Sequence, residues 1–146
     1  MKITICASIA FTKEMQEAKK ELETMGHEVK TPPTEITTDD GRVLNVIDYY
    51  NIRKKADGNT AWVWDEKEKA IKRHFEKIVW SDAILVLNLD KKGIKGYVGA
   101  NTLMEMGLAL HLGKKIYMIN NIPEIDYKEE ILGMKPIIIK NLDEIK

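Results

Sequence analysis

The chain has one cysteine, Cys6, among 146 residues, so no disulfide closes within it, and no Cys/His cluster shows the spacing of a zinc ligand set. A fold that depends on a bridge or a structural metal is thereby excluded, and a reducing cytoplasm is the expected setting. Neither sign of charge is in excess. The 23 Lys plus Arg balance 23 Asp plus Glu, leaving no global field to draw the chain to nucleic acid or to an anionic membrane. No apolar run approaches the ~20 residues of a membrane span. The amino-terminal run MKITICASIAF is far shorter and lacks a clear signal-peptide cleavage region, so it reads as a buried strand. Internal repeats and low-complexity tracts are missing as well. What remains is a single domain over 1–146, long enough to bury roughly two-thirds of the surface its unfolded form would expose. Its expected partner is a small molecule or another protein.

The sequence that is present alternates between two periods. Lys2–Cys6 is a short β-branched apolar run, the signature of a strand buried on both faces. Met15, Ala18, Leu22 and Met25 then fall at spacings of three and four, predicting a helix over Phe11–Met25 that Gly26 ends. His27–Lys30 suits a short edge strand, stopped by Pro32-Pro33. From Thr34 to about Asp65 no period dominates. Turn signals at Asp39-Asp40-Gly41 and Asp57-Gly58-Asn59 accompany the aromatics Tyr49, Tyr50, Trp62 and Trp64, and the stretch at about 34–65 reads as an insertion or lid. The alternation of Trp62 and Trp64 suits an extended strand packed on the body, or a pair poised to stack on a ligand. Helical spacing returns over Glu66–Val79, followed by a strand at Ala83–Leu87, a glycine-containing loop over Asn88–Ala100, and a helix over Thr102–Leu112 closed by Gly113. A strand at Lys115–Ile119, a helical turn at Tyr127–Leu132 and a strand at Pro136–Ile139 complete the chain. This alternation predicts an α/β fold of flavodoxin-like or Rossmann-like type: an open, mostly parallel five-stranded sheet in the order 2-1-3-4-5, with helices on both faces. Strand order then reverses between the first and third strands, and ligands belong beyond their carboxyl ends.

Two loops lie there, Ala7–Ala10 and 88–102. Ser8 and Asn88 stand at strand ends, where ligand hydrogen bonding and turn stabilisation are both open to them. Thr102-Leu103-Met104-Glu105 has the form of a helix capping box. The same Glu105, kept ionised by the helix amino terminus, could also attack a sugar's anomeric carbon, whose oxocarbenium-like transition state a carboxylate stabilises and can trap. Gly99 lets backbone approach a ligand closely, and the helix start, with Asn101 and Thr102, offers groups for hydroxyl or phosphate oxygens. Lys91, Lys92 and Lys95 could hold phosphate or simply be solvated. His74 shares the stripe of Ile71, Phe75 and Ile78, so packing is its simplest role, with proton donation to a leaving group as the alternative. Cys6 reads as a small core residue.

The run Ser81-Asp82-Ala83-Ile84-Leu85-Val86-Leu87, a glycine loop, then Gly99-Ala100-Asn101-Thr102-Leu103-Met104-Glu105-Met106-Gly107-Leu108-Ala109 and Gly113-Lys114-Lys115 resembles the nucleoside 2-deoxyribosyltransferase-like superfamily, which includes nucleoside 5′-monophosphate N-glycosidases. Cys6-Ala7-Ser8-Ile9-Ala10 is similar to its first-strand loop, and the resemblance covers most of the chain outside 34–65. It implies an enzyme of nucleoside or nucleotide N-glycosidic bonds, transferase or hydrolase, with Glu105 as nucleophile and His74 as a possible acid/base. Ser8, Asn88, Lys92, Gly99, Asn101 and Thr102 would contact substrate, without cofactor or metal, in a homodimer or larger homo-oligomer. Gly99 departs from the pattern, standing where the transferases carry an aspartate and the monophosphate hydrolases a serine. Two alternatives stay open. One is a cytokinin-activating phosphoribohydrolase-like enzyme, whose Gly-x-Gly-Thr-x-x-Glu element Gly99–Glu105 resembles with Asn101 in place of its second glycine; the other is a non-catalytic nucleotide-binding or sensor module.

Overall fold

The computed structural model describes residues 1–58 and 61–146, and the expected turn residue Asn59 lies outside them. In chain order the elements are β1 (Lys2–Cys6), α1 (Thr12–Thr24), β2 (Glu28–Lys30), β3 (Glu35–Thr37), β4 (Val43–Asn45), α2 (Val46–Lys55), α3 (Ala61–Trp80), β5 (Ala83–Val86), α4 (Ala100–His111), β6 (Lys115–Met118), α5 (Lys128–Gly133) and β7 (Ile137–Ile138). Short 3-10 turns occupy Ile9–Phe11 and Leu142–Glu144. Five strands form one parallel sheet in the order β2-β1-β5-β6-β7. Counted within that sheet alone, this is the expected 2-1-3-4-5. The labels differ because β3 and β4 pair separately as an antiparallel hairpin.

The two-residue period of a strand decides which helix each side chain meets. On β1, Ile3 and Ile5 join Leu22 and Met15 of α1 on one face of the sheet. Cys6 points the other way, into a core with Ile84 and Val86 of β5, Ile78 of α3 and Met106 of α4. Thr4 shares that second face and donates its hydroxyl to the Lys77 carbonyl at 2.8 Å, fixing β1 against α3. Burial on both faces explains why β1 and β5 read as continuous apolar runs.

The stretch expected as an insertion holds regular structure: the β3–β4 hairpin, α2, and the first turns of α3. Ile36, Val46, Tyr49 and Val63 give it a small core of its own, and the Tyr49 hydroxyl donates to the Val63 carbonyl at 2.8 Å. The extended-strand reading of Trp62 and Trp64 is corrected, because both lie in α3, which starts at Ala61 instead of Glu66. Val63 and Glu66 continue the buried stripe of His74 and Ile78 at helical spacing. Trp62 packs on Tyr49 with ring centroids 6.3 Å apart, while Trp64 is exposed. No helix among the described residues is long and apolar enough to cross a membrane.

Candidate active site

Beyond the carboxyl ends of β1 and β5 the chain leaves in opposite directions, and a cavity of about 490 Å³ opens between the loops. That volume is in the range of small-molecule sites. Its walls come from the loop after β1, from α2 and α3, from the loop after β5 and from the start of α4. Ser8, His74, Lys92, Gly99, Asn101, Thr102 and Glu105 all line it. Asn88 does not. It is fully buried, donating to the carbonyls of Asn120 and Asn121 at 3.0 and 3.1 Å while its Oδ1 accepts from the Asn120 amide at 3.1 Å. Of its two open roles, the structure displays loop stabilisation. Ser8 Oγ accepts from Lys91 Nζ at 2.6 Å, tying together the two loops that border the cavity.

The capping box expected at Thr102 and Glu105 does not form. α4 begins two residues earlier, at Ala100, with Gly99 as its N-cap in extended backbone (φ −83°, ψ 172°) and no side-chain cap. Glycine is an acceptable N-cap, since its carbonyl takes the first intrahelical bond without a side chain's help; the Leu103 amide donates to it at 2.9 Å. The earlier start turns Thr102 inward with Met106 and Ala109 and carries Glu105 into the second turn, where no free amide reaches it. The atoms nearest to a Cβ added at Gly99 would be those of the Tyr97 side chain, the closest at 3.3 Å.

Glu105, His74 and Cys6 converge from three elements. His74 Nε2 lies 3.7 Å from a Glu105 carboxyl oxygen and 3.5 Å from Cys6 Sγ, while His74 Nδ1 is buried without a hydrogen-bond partner. Burial governs their ionisation. It pushes Glu105 up to about 8, against the opposing effects of Cys6 and Lys67. Burial, with Lys77, drives His74 down to about 4, and burial beside Glu105 raises the Cys6 thiol well above its ordinary value. The expectation that the helix terminus holds Glu105 ionised is therefore corrected: desolvation outweighs a helix dipole that fades beyond the first turn. Near pH 7 the trio is predominantly neutral, so the His74–Glu105 contact is polar and not an ion pair.

The rim has the opposite character. Arg53 and Lys54 of α2, Lys67 of α3, and Lys91 and Lys92 of the loop after β5 line the same cavity, whereas Lys95 does not. Burial, and then Arg53, lower Lys67 to about 8. Tyr97 lies 5.5 and 5.6 Å from the Lys91 and Lys92 ammonium groups, and Tyr50 5.3 Å from the Arg53 guanidinium. Sequence reasoning missed Arg53, Lys54, Lys67 and the place of Cys6 beside His74. A signal existed only for Lys67, which stands seven residues before His74 and so shares its helix face.

Neither a protein-family model nor a curated protein sequence matches the chain. Among solved structures, its fold is similar to that of a 2-deoxyribosyltransferase from the psychrotolerant bacterium Bacillus psychrosaccharolyticus, with 19% identity and a TM-score of 0.50 over 82% of this chain and 72% of that one. It is also similar to the CMP N-glycosidase BcmB of Clostridium botulinum, with 18% identity and a TM-score of 0.51 over 99% of this chain and 93% of that one. At these identities the likeness establishes a shared fold, the one the sequence resemblance implied.

Proposed function

We propose that the chain is an enzyme of nucleoside or nucleotide N-glycosidic bonds in which Glu105 is the nucleophile. The observation that carries this reading is the placement of Glu105, a buried carboxyl on the wall of a cavity of small-molecule size, at the strand-order reversal of a fold shared with two such enzymes. The carboxylate bonds to the anomeric carbon as the carbon–nitrogen bond breaks, the electron pair leaving with the base, which takes up a proton. Water then opens the glycosyl ester to release the sugar and restore the carboxyl, or a second base accepts the glycosyl group. A developing positive charge on the sugar favours the carboxylate over the protonated resting form of Glu105. His74 Nε2, neutral at pH 7 and 3.7 Å away, is proposed to relay the Glu105 proton.

The rim of Arg53, Lys54, Lys67, Lys91 and Lys92 favours a nucleotide over a nucleoside, since cations there are matched by a phosphate. Ser8, Lys92, Gly99, Asn101 and Thr102 are proposed to contact the substrate, and assembly into a homodimer or larger homo-oligomer, read by sedimentation, belongs to the same reading. A chromatographic assay for free base tests it, with wild type and Glu105→Gln incubated with nucleosides and 5′-monophosphates, with and without acceptor base. Base release or exchange by wild type, falling at least about 10³-fold in Glu105→Gln, is expected for loss of a covalent nucleophile. Activity retained in Glu105→Gln overturns the assignment. One observation favours a non-catalytic nucleotide-binding module: Gly99 offers no side chain to the ligand. Binding without turnover in both proteins selects that reading.

A further inference from the structure

We propose that Cys6, His74 and Glu105 form a binding site for a borderline-soft divalent cation, Zn²⁺ or its spectroscopic substitute Co²⁺, with the fourth coordination position open to the cavity. One ligand atom from each residue lies within 4.8 Å of the other two. Tetrahedral zinc with arms of ~2.3 Å to sulfur and ~2.0 Å to nitrogen or oxygen requires a sulfur–nitrogen separation of about 3.5 Å and a nitrogen–oxygen separation of about 3.3 Å. The thiol and imidazole already stand 3.5 Å apart. The Glu105 oxygen, 3.7 Å from Nε2 and within 4.8 Å of the sulfur, has to draw in towards both, to about 3.3 Å from the nitrogen and about 3.5 Å from the sulfur, a movement made by rotation of its flexible side chain.

Charge balance supports the same conclusion. Each group is too buried to carry charge comfortably alone, yet a thiolate, a carboxylate and a neutral imidazole together supply the two negative charges that cancel a dication. Binding breaks the S–H bond of Cys6 and the O–H bond of Glu105, releases two protons to solvent, and forms three metal–ligand bonds with no change in oxidation state. One sulfur and one imidazole select Zn²⁺ or Co²⁺ over Mg²⁺ and Ca²⁺, which take oxygen ligands. Three protein ligands with an open fourth position are the pattern of sites that admit water or an exogenous ligand. The rim cations oppose a dication but concentrate anions at that open position. Held by the metal, Glu105 is no longer free to attack a sugar, so Zn²⁺ inhibits the reaction proposed above; this consequence, unlike the site, rests on that reading.

Titration of the wild-type protein with Co²⁺, followed by absorption, tests the site. The expected result is intense visible bands of a tetrahedral centre, with a thiolate-to-cobalt charge-transfer band saturating at one metal per chain. Because Cys6 is the sole cysteine of the sequence, that band assigns the ligand even if a Cys6 variant fails to fold. Cys6→Ala abolishes it, and His74→Ala and Glu105→Gln each weaken binding at least about 10-fold, since even outer-shell partners of a metal are worth 10–100-fold. Weak bands of an octahedral type without charge transfer, or Zn²⁺ affinity unchanged in all three variants, overturns the proposal. The base-release assay, run with Zn²⁺ and then with a chelator, separates the two readings. A thiolate band without any base release in metal-free protein leaves the site and removes the enzyme, whereas Glu105-dependent release without the band does the reverse.

Discussion

Burial raises Glu105 to about 8, so near pH 7 about a tenth of the molecules carry its carboxylate. If that form is the nucleophile, kcat/KM rises about tenfold per unit below pH 8 and levels off above it. Lys67 favours the charged form, so Lys67→Met should move the midpoint of that profile to higher pH; an unmoved midpoint would assign the titration to another group. The same shift has a sign in stability. Glu105 keeps its proton in the folded protein up to about 8 but loses it near 4.5 when unfolded, so stability falls as pH rises across that window. His74 acts oppositely, since its folded value of about 4 lies below the unfolded 6.5, and stability falls as pH drops across that interval. The two slopes oppose each other between about 4.5 and 6.5, leaving a net decline from 6.5 to 8. Glu105→Gln removes that decline, and relative to wild type should gain on the order of 2 kcal/mol between pH 6.5 and 8, measured by urea unfolding at both values.

The loop between β5 and α4 is shaped by Asn88 and Gly96 more than by the residues that line the cavity. Asn88 holds this loop to the one after β6, so Asn88→Ala leaves several buried backbone groups unpaired and should cost about 2–4 kcal/mol in urea unfolding. A loss below 1 kcal/mol would show that the clamp is not needed. Gly96 has φ +67°, and a Cβ there would stand 2.6 Å from the Asn121 carbonyl oxygen; here glycine is required. The start of α4 shows how a motif misleads. Thr102-Leu103-Met104-Glu105 satisfies the capping-box pattern, but the helix gains two residues by starting at Ala100, and Gly99 accepts the resulting cap geometry. Local sequence cannot weigh those extra helical residues against a side-chain cap, because the choice depends on how Thr102 and Met106 pack beneath.

Across the whole molecule the charges sum to zero, yet five cationic side chains line one cavity. Their field is local, and salt weakens it for exposed groups. Under the proposed function, a 5′-monophosphate should therefore bind more tightly than its nucleoside, and raising NaCl from 50 to about 300 mM should erode that preference severalfold while leaving nucleoside binding nearly constant. Isothermal titration with Glu105→Gln, which binds without turnover, reads both. Equal affinity at all salt concentrations would assign the rim cations to solvation. Two periods in the sequence were enough to determine the sheet, its strand order and the place of the crevice, because buried strands and amphipathic helices write their exposure into the order of residues. Ser8, Gly99, Asn101 and Thr102 were nameable for the same reason, being tied to a strand end and a helix start, whereas Glu105 and His74 were singled out by helical patterns and by the family resemblance. The meeting of Cys6, His74 and Glu105 was decided by tertiary structure alone. It depends on which face of β1 an even-numbered residue takes and on how α3 and α4 cross above it, and their ionisation follows from the desolvation that only this packing creates. The cation rim likewise had to await the fold, since Arg53 and Lys54 reach the cavity only once the hairpin and α2 have docked against α3.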